Sequence, residues 1–158
     1  MSPRAAWRLV QLGFAPVYDY AGGKMDWLSY GLAHEGSALL AGDLVDRSVP
    51  TCGLDAPLAE ARRRAQEGGH GLCVAVTGGD VVMGLLRGGA LDGPDERPVS
   101  QAMSFGVSTV RPSEDAGALV QRMARANVEA LVVTSPDARL LGLFDRRMAE
   151  EALRRRDN

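Results

Sequence analysis

The sequence predicts an α/β (α+β) protein in which tandem β-α-β-β-α repeats pack with pseudo-two-fold symmetry, preceded by an N-terminal helix–strand–helix extension. Three observations lead to this fold class. From about Leu44 onward the chain repeats without a gap, so that Thr51 corresponds to Thr109, 58 residues later. We call this spacing the repeat offset. Short apolar runs alternate with amphipathic segments in both copies. Each copy is too small to bury its strands alone, which favours packing of one copy on the other.

The first copy is expected to begin with a strand at residues 49–52, followed by a helix that Asp55 caps and that has Pro57 in its first turn. The inward face of this helix carries apolar residues at helical spacing, namely Leu58, Ala61 and Ala65. Two glycines, at residues 68–69, end the helix. A β-hairpin follows, made by two apolar runs and a Gly-Gly-Asp turn, at residues 72–76, 81–86 and 78–80.

The second copy follows the same plan. A strand at residues 107–110 leads to a helix capped by Ser113. The inward face of that helix consists of Ala116, Leu119, Val120 and Met123. A second hairpin is expected at residues 130–133, 135–137 and 140–144. A final helix runs from about Asp145 to Arg155, and both copies thus read strand, helix, strand, strand, helix.

The N-terminal residues 1–41 lie outside the repeat. Helical periodicity from Arg4 to Leu12 ends at Gly13, residues 16–20 are expected to form a strand, and residues 24–30 a short helix. The chain is therefore divided into three parts, residues 1–41, 42–98 and 99–158.

Composition excludes several classes of protein. Of the 158 residues 46% are hydrophobic and 24% are charged, which is enough apolar material for a core. The net charge of −2 and the lack of long basic runs argue against nucleic-acid binding. No apolar run approaches the roughly 20 residues of a membrane span, so we expect a cytoplasmic protein with no membrane partner. Cys52 and Cys73 have no CxxC spacing, so no metal site is expected.

The repeat carries specific motifs. The second copy has Met103, then Val107–Val110, Pro112, an amphipathic helix and a hairpin closing on Gly142–Leu143, and the first copy has Val49–Thr51 and Gly84–Leu86. In these features the chain resembles the CBS domain pair, named after cystathionine β-synthase. The resemblance implies a non-catalytic regulatory module, also called a Bateman module, that binds AMP, ATP or S-adenosylmethionine between its repeats. It also implies a homodimer that acts on an effector protein.

The ligand motif of that family, Gly-apolar-x-Thr/Ser-x-x-Asp/Asn, is altered in both copies. The first copy has Arg87 and Ala90 at the two polar positions, and the second has Asp145 and Met148. Neither copy keeps the carboxylate that grips ribose hydroxyls in the family. Arg87 is suited to bind an anionic group directly, because a guanidinium pairs bidentately with phosphate or carboxylate.

The candidate ligand-binding residues are Thr51, Arg87, Met103, Thr109 and Asp145. All of these except Arg87 have a simpler alternative explanation. The threonines suit any strand, Met103 suits a core, and Asp145 suits a helix N-cap. Arg146 and Arg147 either assist anion binding at the last helix or form its solvated face.

The N-terminal segment has motifs of its own: Ser2–Ala6, Leu12–Phe14, Gly22–Gly23, Trp27 and Gly31–Leu32. In their order and spacing these resemble the C-terminal part of a rhodanese domain, a sulfurtransferase that uses a cysteine nucleophile in a loop before this region. No cysteine precedes Cys52, so no nucleophile is carried over. The segment is expected to be a remnant that contributes apolar dimer contacts.

Three hypotheses on function follow. The first is a non-catalytic module that senses an anionic small molecule or nucleotide between the repeats. The second is a purely structural or dimerisation module with degenerate clefts, in which residues such as Leu86 and Phe144 fill the space. The third and weakest is a sulfurtransferase.

Overall fold

Two three-stranded sheets form the body of the protein. The computed structural model describes residues 3–30, 32–33 and 38–156. The first sheet consists of β1 (Thr51–Gly53), β2 (Leu72–Val76) and β3 (Val82–Arg87). The second sheet consists of β4 (Thr109–Val110), β5 (Ala130–Thr134) and β6 (Leu140–Asp145). In each sheet the first strand runs parallel to the middle strand and the third runs antiparallel to it, which confirms the mixed α/β class.

Helices flank the sheets and form the N-terminal extension. They are α1 (Pro3–Gln11), α2 (Gly23–Ser29), α3 (Leu58–Glu67), α4 (Val99–Ala102), α5 (Ala116–Arg125) and α6 (Arg146–Arg156). Two 3₁₀ turns occur at Ala41–Leu44 and Gly88–Leu91. In the described part of the chain, no helix has the length and apolar character needed to cross a bilayer.

The repeat offset predicted from the sequence holds for the backbone. Helix α5 follows α3 at this offset, and β5 and β6 follow β2 and β3 at the same offset, with equal lengths. Even the irregularity in each hairpin recurs at the same place, between Ala75 and Val76 and between Val133 and Thr134. The predicted inward faces of α3 and α5 are confirmed, because all their members are buried.

Two segments cross from one half of the molecule to the other, and we call them the arms. The first arm is residues 39–50 and the second is residues 97–108. Asp46 of the first arm exchanges two backbone hydrogen bonds, at 2.8 and 2.9 Å, with Leu143 of β6. Ser104 of the second arm does the same, at 2.9 and 3.1 Å, with Leu85 of β3. Each sheet is therefore completed by the arm that leads into the other sheet.

Apolar residues of each arm are buried in the half whose sheet the arm completes. Val99 and Met103 of the second arm pack into the first half, whose buried cluster also contains Cys52, Leu58, Ala61, Ala65, Cys73, Ala75 and Leu86. Ala41 of the first arm packs into the second half, with Val110, Ala116, Leu119, Val120, Met123, Val133, Phe144 and Ala149. A third cluster joins the halves and contains Val49, Leu72, Val74, Val76, Val132 and Leu143. The expectation that Leu86 and Phe144 fill a cleft is wrong, since each is buried within one half.

The predicted caps of α3 and α5, one helix in each copy, are wrong. Pro57, not Asp55, precedes α3, and its first amides are satisfied by backbone: Leu58 donates to the Arg97 carbonyl at 2.8 Å. Asp115, not Ser113, caps α5 by accepting from the Ala118 amide at 2.8 Å. The cap of α6 is confirmed, because Asp145 accepts from the Met148 amide at 2.9 Å.

Two further elements differ from the prediction. The expected helix at the end of the first copy is only the 3₁₀ turn at Gly88–Leu91, where two consecutive glycines disfavour helix. The expected strand at residues 16–20 has no strand partner in the described chain and is irregular. Helices α1 and α2 are confirmed in the extension. Tyr20 packs edge-on against Trp27 at 5.3 Å, and its hydrogen bond to Asp26 raises the pKa of the phenol to about 12.

Gly142 allows the first arm to approach β6, which leads to a stability prediction. A Cβ at this position would lie 2.2 Å from the Asp46 carbonyl oxygen, and its φ of +145° disfavours other residues. We expect Gly142→Ala to lower the free energy of unfolding by about 3 kcal/mol, measured by urea denaturation.

Two glycines provide graded controls. At the equivalent Gly84 a Cβ would meet the flexible Met103 side chain at 2.4 Å, so Gly84→Ala should cost about 1 kcal/mol. At Gly53 nothing lies within 4 Å, and Gly53→Ala should stay within about 0.5 kcal/mol of the wild type. Equal losses in all three variants would contradict the close approach of the arm.

Candidate functional site

A cavity of about 300 Å³ opens between the two halves, on the side of the second arm. This volume is at the lower end of the range for small-molecule sites, roughly 300–1,000 Å³. We call this cavity the open cleft. It is lined by residues of β3, the second arm, β5 and β6, namely Leu72, Leu85, Arg87, Ser104, Phe105, Gly106, Val107, Ser108, Val128, Ala130, Leu131, Val132 and Leu143.

Arg87 supplies the positive charge of the open cleft. It is the last residue of β3 and is held in register opposite Leu72 of β2. Its side chain is exposed, and it makes no hydrogen bond or ion pair with any residue that the structure describes. An uncommitted guanidinium at the edge of a cavity lined largely by apolar side chains is suited to bind an anionic group.

Phe105 supplies an aromatic surface at the same cleft. It lies on the second arm directly after Ser104, whose backbone is fixed to Leu85, and before Gly106, whose φ is +68°. Its side chain is 71% exposed even though it lines the cavity. The apolar floor of the cleft, together with the ring of Phe105 and the guanidinium of Arg87, suits a ligand with a planar ring and a negative charge.

Of the residues proposed from the sequence, only Arg87 lines the open cleft. Met103 is 7% exposed and is packed in the first half, because the second arm turns inward there. Thr109 lines a separate cavity of about 250 Å³ beside α5. The carbonyl of Thr51 accepts from Arg64, and Asp145 caps α6. A ligand contact by these four residues stays a prediction.

The position related to the open cleft by the repeat offset is built differently. There, Asp46 replaces Ser104 and His70 replaces Val128. His70 Nε2 donates to Asp46 Oδ2 over 2.8 Å, and the hydroxyl and amide of Ser48 donate to Asp46 Oδ1 over 2.6 and 2.8 Å. The Ser48 hydrogen bonds, followed by that from His70, hold the pKa of the Asp46 carboxyl below its usual range. We call this position the second cleft.

Phe105, Ser104 and the Asp46–His70 pair were missed by the sequence analysis. The pair joins residues 24 positions apart, beyond the reach of local patterns. The repeat itself held a signal, because applying the repeat offset sets Asp46 and His70 opposite Ser104 and Val128. Where one copy has a charged residue and the other has a neutral residue at the equivalent position, the two clefts differ.

Other reactive groups have structural partners. Arg146 binds Glu129 and Glu150, which favours a structural role for its charge over anion binding. Cys52 and Cys73 are both buried, and the neighbouring Cys52 thiol, together with burial, raises the pKa of Cys73. Within residues 3–30, 32–33 and 38–156, no group of three His, Cys, Asp or Glu side chains is arranged to hold a metal ion.

Comparison with known protein families gives a match in the second half of the chain. Residues 99–154 match the family model of the CBS domain. No curated protein matches the sequence of the chain. The resemblance of residues 1–41 to a rhodanese domain stays a prediction.

Solved structures share the fold of both halves. The CBS domains of a transcriptional regulator from Streptococcus pneumoniae align with a TM-score of 0.65 at 19% identity, covering 72% of this chain and 98% of that one. The CBS domain pair of the protein MJ0100, in complex with 5′-methylthioadenosine and S-adenosyl-L-methionine, aligns at 0.62 and 13% identity, covering 73% and 96%. The cytosolic domain of the Mg²⁺ channel MgtE in complex with ATP aligns at 0.64 and 18% identity, covering 72% of this chain but only 48% of that one.

The lowered pKa of Asp46 predicts an acid-dependent loss of stability. A carboxyl whose pKa is lower in the folded state stabilises the fold fully above its unfolded value, about 3.9, and ceases to do so as pH falls through its folded value. We expect Asp46→Asn to lower the free energy of unfolding by about 1 kcal/mol at pH 7. The difference from wild type should shrink as pH falls below about 4.

Urea denaturation from pH 7 to pH 3 measures this difference. Asp55→Asn is the matched control, because Asp55 is exposed and makes no hydrogen bond or ion pair with any described residue. A wild-type advantage over Asp46→Asn that stays constant down to pH 3 would show that the carboxylate does not stabilise the arm.

Proposed function

We propose that the chain is a non-catalytic regulatory module that binds an anionic, adenosine-containing small molecule in the open cleft. The observation that carries this proposal is Arg87, a guanidinium at the edge of the open cleft that has no ionic partner among the described residues. Adenosine-containing ligands are named in two of the similar solved structures, ATP in one and 5′-methylthioadenosine with S-adenosyl-L-methionine in the other. AMP and ATP are therefore the first ligands to test, followed by S-adenosylmethionine, which is a cation overall but has a carboxylate that can pair with Arg87.

The mode of binding follows from the lining of the cleft. The adenine ring would lie on the apolar floor and against Phe105, and the phosphate would pair with Arg87. No carboxylate for the ribose hydroxyls is among the described residues that line the cavity, so the anion contact has to supply more of the affinity. The bound state would be read by an effector protein in the cytoplasm.

Substitution of Arg87 tests the anion contact. We expect Arg87→Ala to weaken AMP binding about tenfold, the effect of losing a charge-assisted hydrogen bond, and to leave adenosine binding unchanged. Phe105→Ala should weaken the binding of both AMP and adenosine about fivefold. Isothermal titration calorimetry measures the four affinities.

Arg63→Ala is the control for a change of charge alone, because Arg63 is an exposed arginine of α3, paired only loosely with Glu67 at 4.0 Å. It should bind AMP like the wild type. The proposal fails if AMP, ATP and S-adenosylmethionine all leave the wild type without a binding signal, or if Arg63→Ala weakens AMP as much as Arg87→Ala does.

A second candidate function is homodimerisation through the N-terminal extension. Its apolar side chains are exposed to an unusual degree, with Trp7 at 62%, Leu12 at 60% and Phe14 at 60%. Exposed apolar residues grouped on one segment favour a protein interface. A second copy of the chain would cover them, and such a dimer would form with the clefts empty.

Sedimentation velocity tests the dimer. We expect the wild type to sediment as a dimer at micromolar concentration and Trp7→Ser/Phe14→Ser to sediment as a monomer. Met83→Ser is the control, because Met83 is a 39% exposed apolar residue of β3, outside the extension. A monomeric wild type would reject the dimer without affecting the ligand proposal.

A further inference from the structure

The two halves of the molecule are equivalent in backbone but not at their clefts. The repeat offset relates the Asp46–Leu143 bridge to the Ser104–Leu85 bridge. It also relates Val81 to Arg139, which form a bridge with each other and so lie at the pseudo-two-fold axis. The same offset places the second cleft beside the first arm, with Leu85 and Leu143 near both clefts. The backbone therefore provides for two sites of the same shape.

Side chains bond across one of these two positions. The carboxylate of Asp46 accepts three hydrogen bonds, two from Ser48 and one from His70, and His70 and Asp46 are only 17% and 23% exposed. The bond to His70 ties the first arm to the segment just before β2. At the open cleft the corresponding residues are Ser104 and Val128, and a valine side chain has no donor to make such a bond.

Charge also differs between the two positions. Arg87 ends the first hairpin, and Asp145 ends the second in the same register. Asp145 therefore takes the place of Arg87 at the second cleft, where Asp46 adds another carboxylate. Arg47 takes the place of Phe105, so the second cleft has no equivalent of the aromatic surface. The two carboxylates outweigh the single guanidinium of Arg47, whereas the open cleft has Arg87 and no carboxylate at these positions. The second cleft therefore attracts an anionic ligand less than the open cleft does.

We infer that the Asp46–His70 pair is a latch that closes the second cleft, so that the module takes one ligand per chain and the second cleft is a latent site. The ligand in this inference rests on the proposed function, whereas the closure of the second cleft does not. The latch acts by holding the first arm against the segment before β2. At the open cleft the equivalent residues, Ser104 and Val128, form no such bond, and the cleft stays open.

Exchanging residues between the halves tests the latch. Asp46→Ser/Arg47→Phe/His70→Val gives the second cleft the arm residues of the open one, and Ser104→Asp/Val128→His gives the open cleft the latch. Native mass spectrometry and calorimetry report the number of molecules bound, with AMP and with adenosine, which has no phosphate to be repelled by a carboxylate. We expect one molecule of either probe on the wild type, a second molecule of adenosine on the triple variant, whose Asp145 still repels a phosphate, and neither probe on the reciprocal variant.

Hydrogen exchange tests the closure without a ligand. In the wild type, amides of residues 46–49 should exchange about tenfold more slowly than those of residues 104–107. This is the factor expected when one arm has a half-buried, charge-assisted hydrogen bond and the other lacks it. In Asp46→Ser/His70→Val this difference should vanish, and in the reciprocal variant both arms should be protected. Circular dichroism verifies that each variant is folded.

The outcomes separate the two proposals. Equal exchange of the two arms in the wild type overturns the latch, as does a wild type that binds two AMP molecules. A folded triple variant that still binds only one molecule of adenosine also overturns it. A wild type that binds neither probe but shows the roughly tenfold difference in exchange rejects the proposed ligand and supports the latch.

Discussion

The exchange of arms is the constraint on which the rest of the structure depends. Each sheet has only three strands, and its third strand is completed by backbone hydrogen bonds from the arm that leads into the other sheet. Neither half can bury its core alone, because Ala41 belongs to the second half and Val99 and Met103 belong to the first. Since both arms cross between the halves, they also form walls of the two clefts.

The clefts show how little change is needed to make equivalent positions behave differently. Their backbones are related by one offset, and both lie over the apolar cluster that contains Leu72 and Leu143. The difference lies in a few side chains on the arms and at the strand ends. Arg87, which has no ionic partner among the described residues, gives one cleft a free positive charge, whereas Asp46 and His70 satisfy each other at the other cleft.

Much of the fold was predictable from the sequence because the hairpins are apolar runs separated by turn residues, and these signals are local. The cap at Asp55 was predicted wrongly because the start of α3 is completed by the Arg97 carbonyl, a contact with a distant part of the chain. At the site, Arg87 was singled out because it occupies the hydroxyl position of the ligand motif of the family that the chain resembles, and it does line the open cleft. Met103 packs in the core of the first half, which was one of the two alternatives for it, but no local pattern tells which half an arm packs against.

The exchange of arms also bears on how such a molecule arises by duplication. A single ancestral repeat would have had an arm but no second sheet within its own chain, so it could make these bridges only with another copy of itself. Two such copies would be identical at both clefts. Fusion in tandem would give the two arm positions, here Asp46 and Ser104, separate codons, so that the residues around each cleft could diverge while the gapless register was kept. Fusion would therefore allow the two clefts, which are identical in a symmetric dimer, to bind different ligands or for one of them to close.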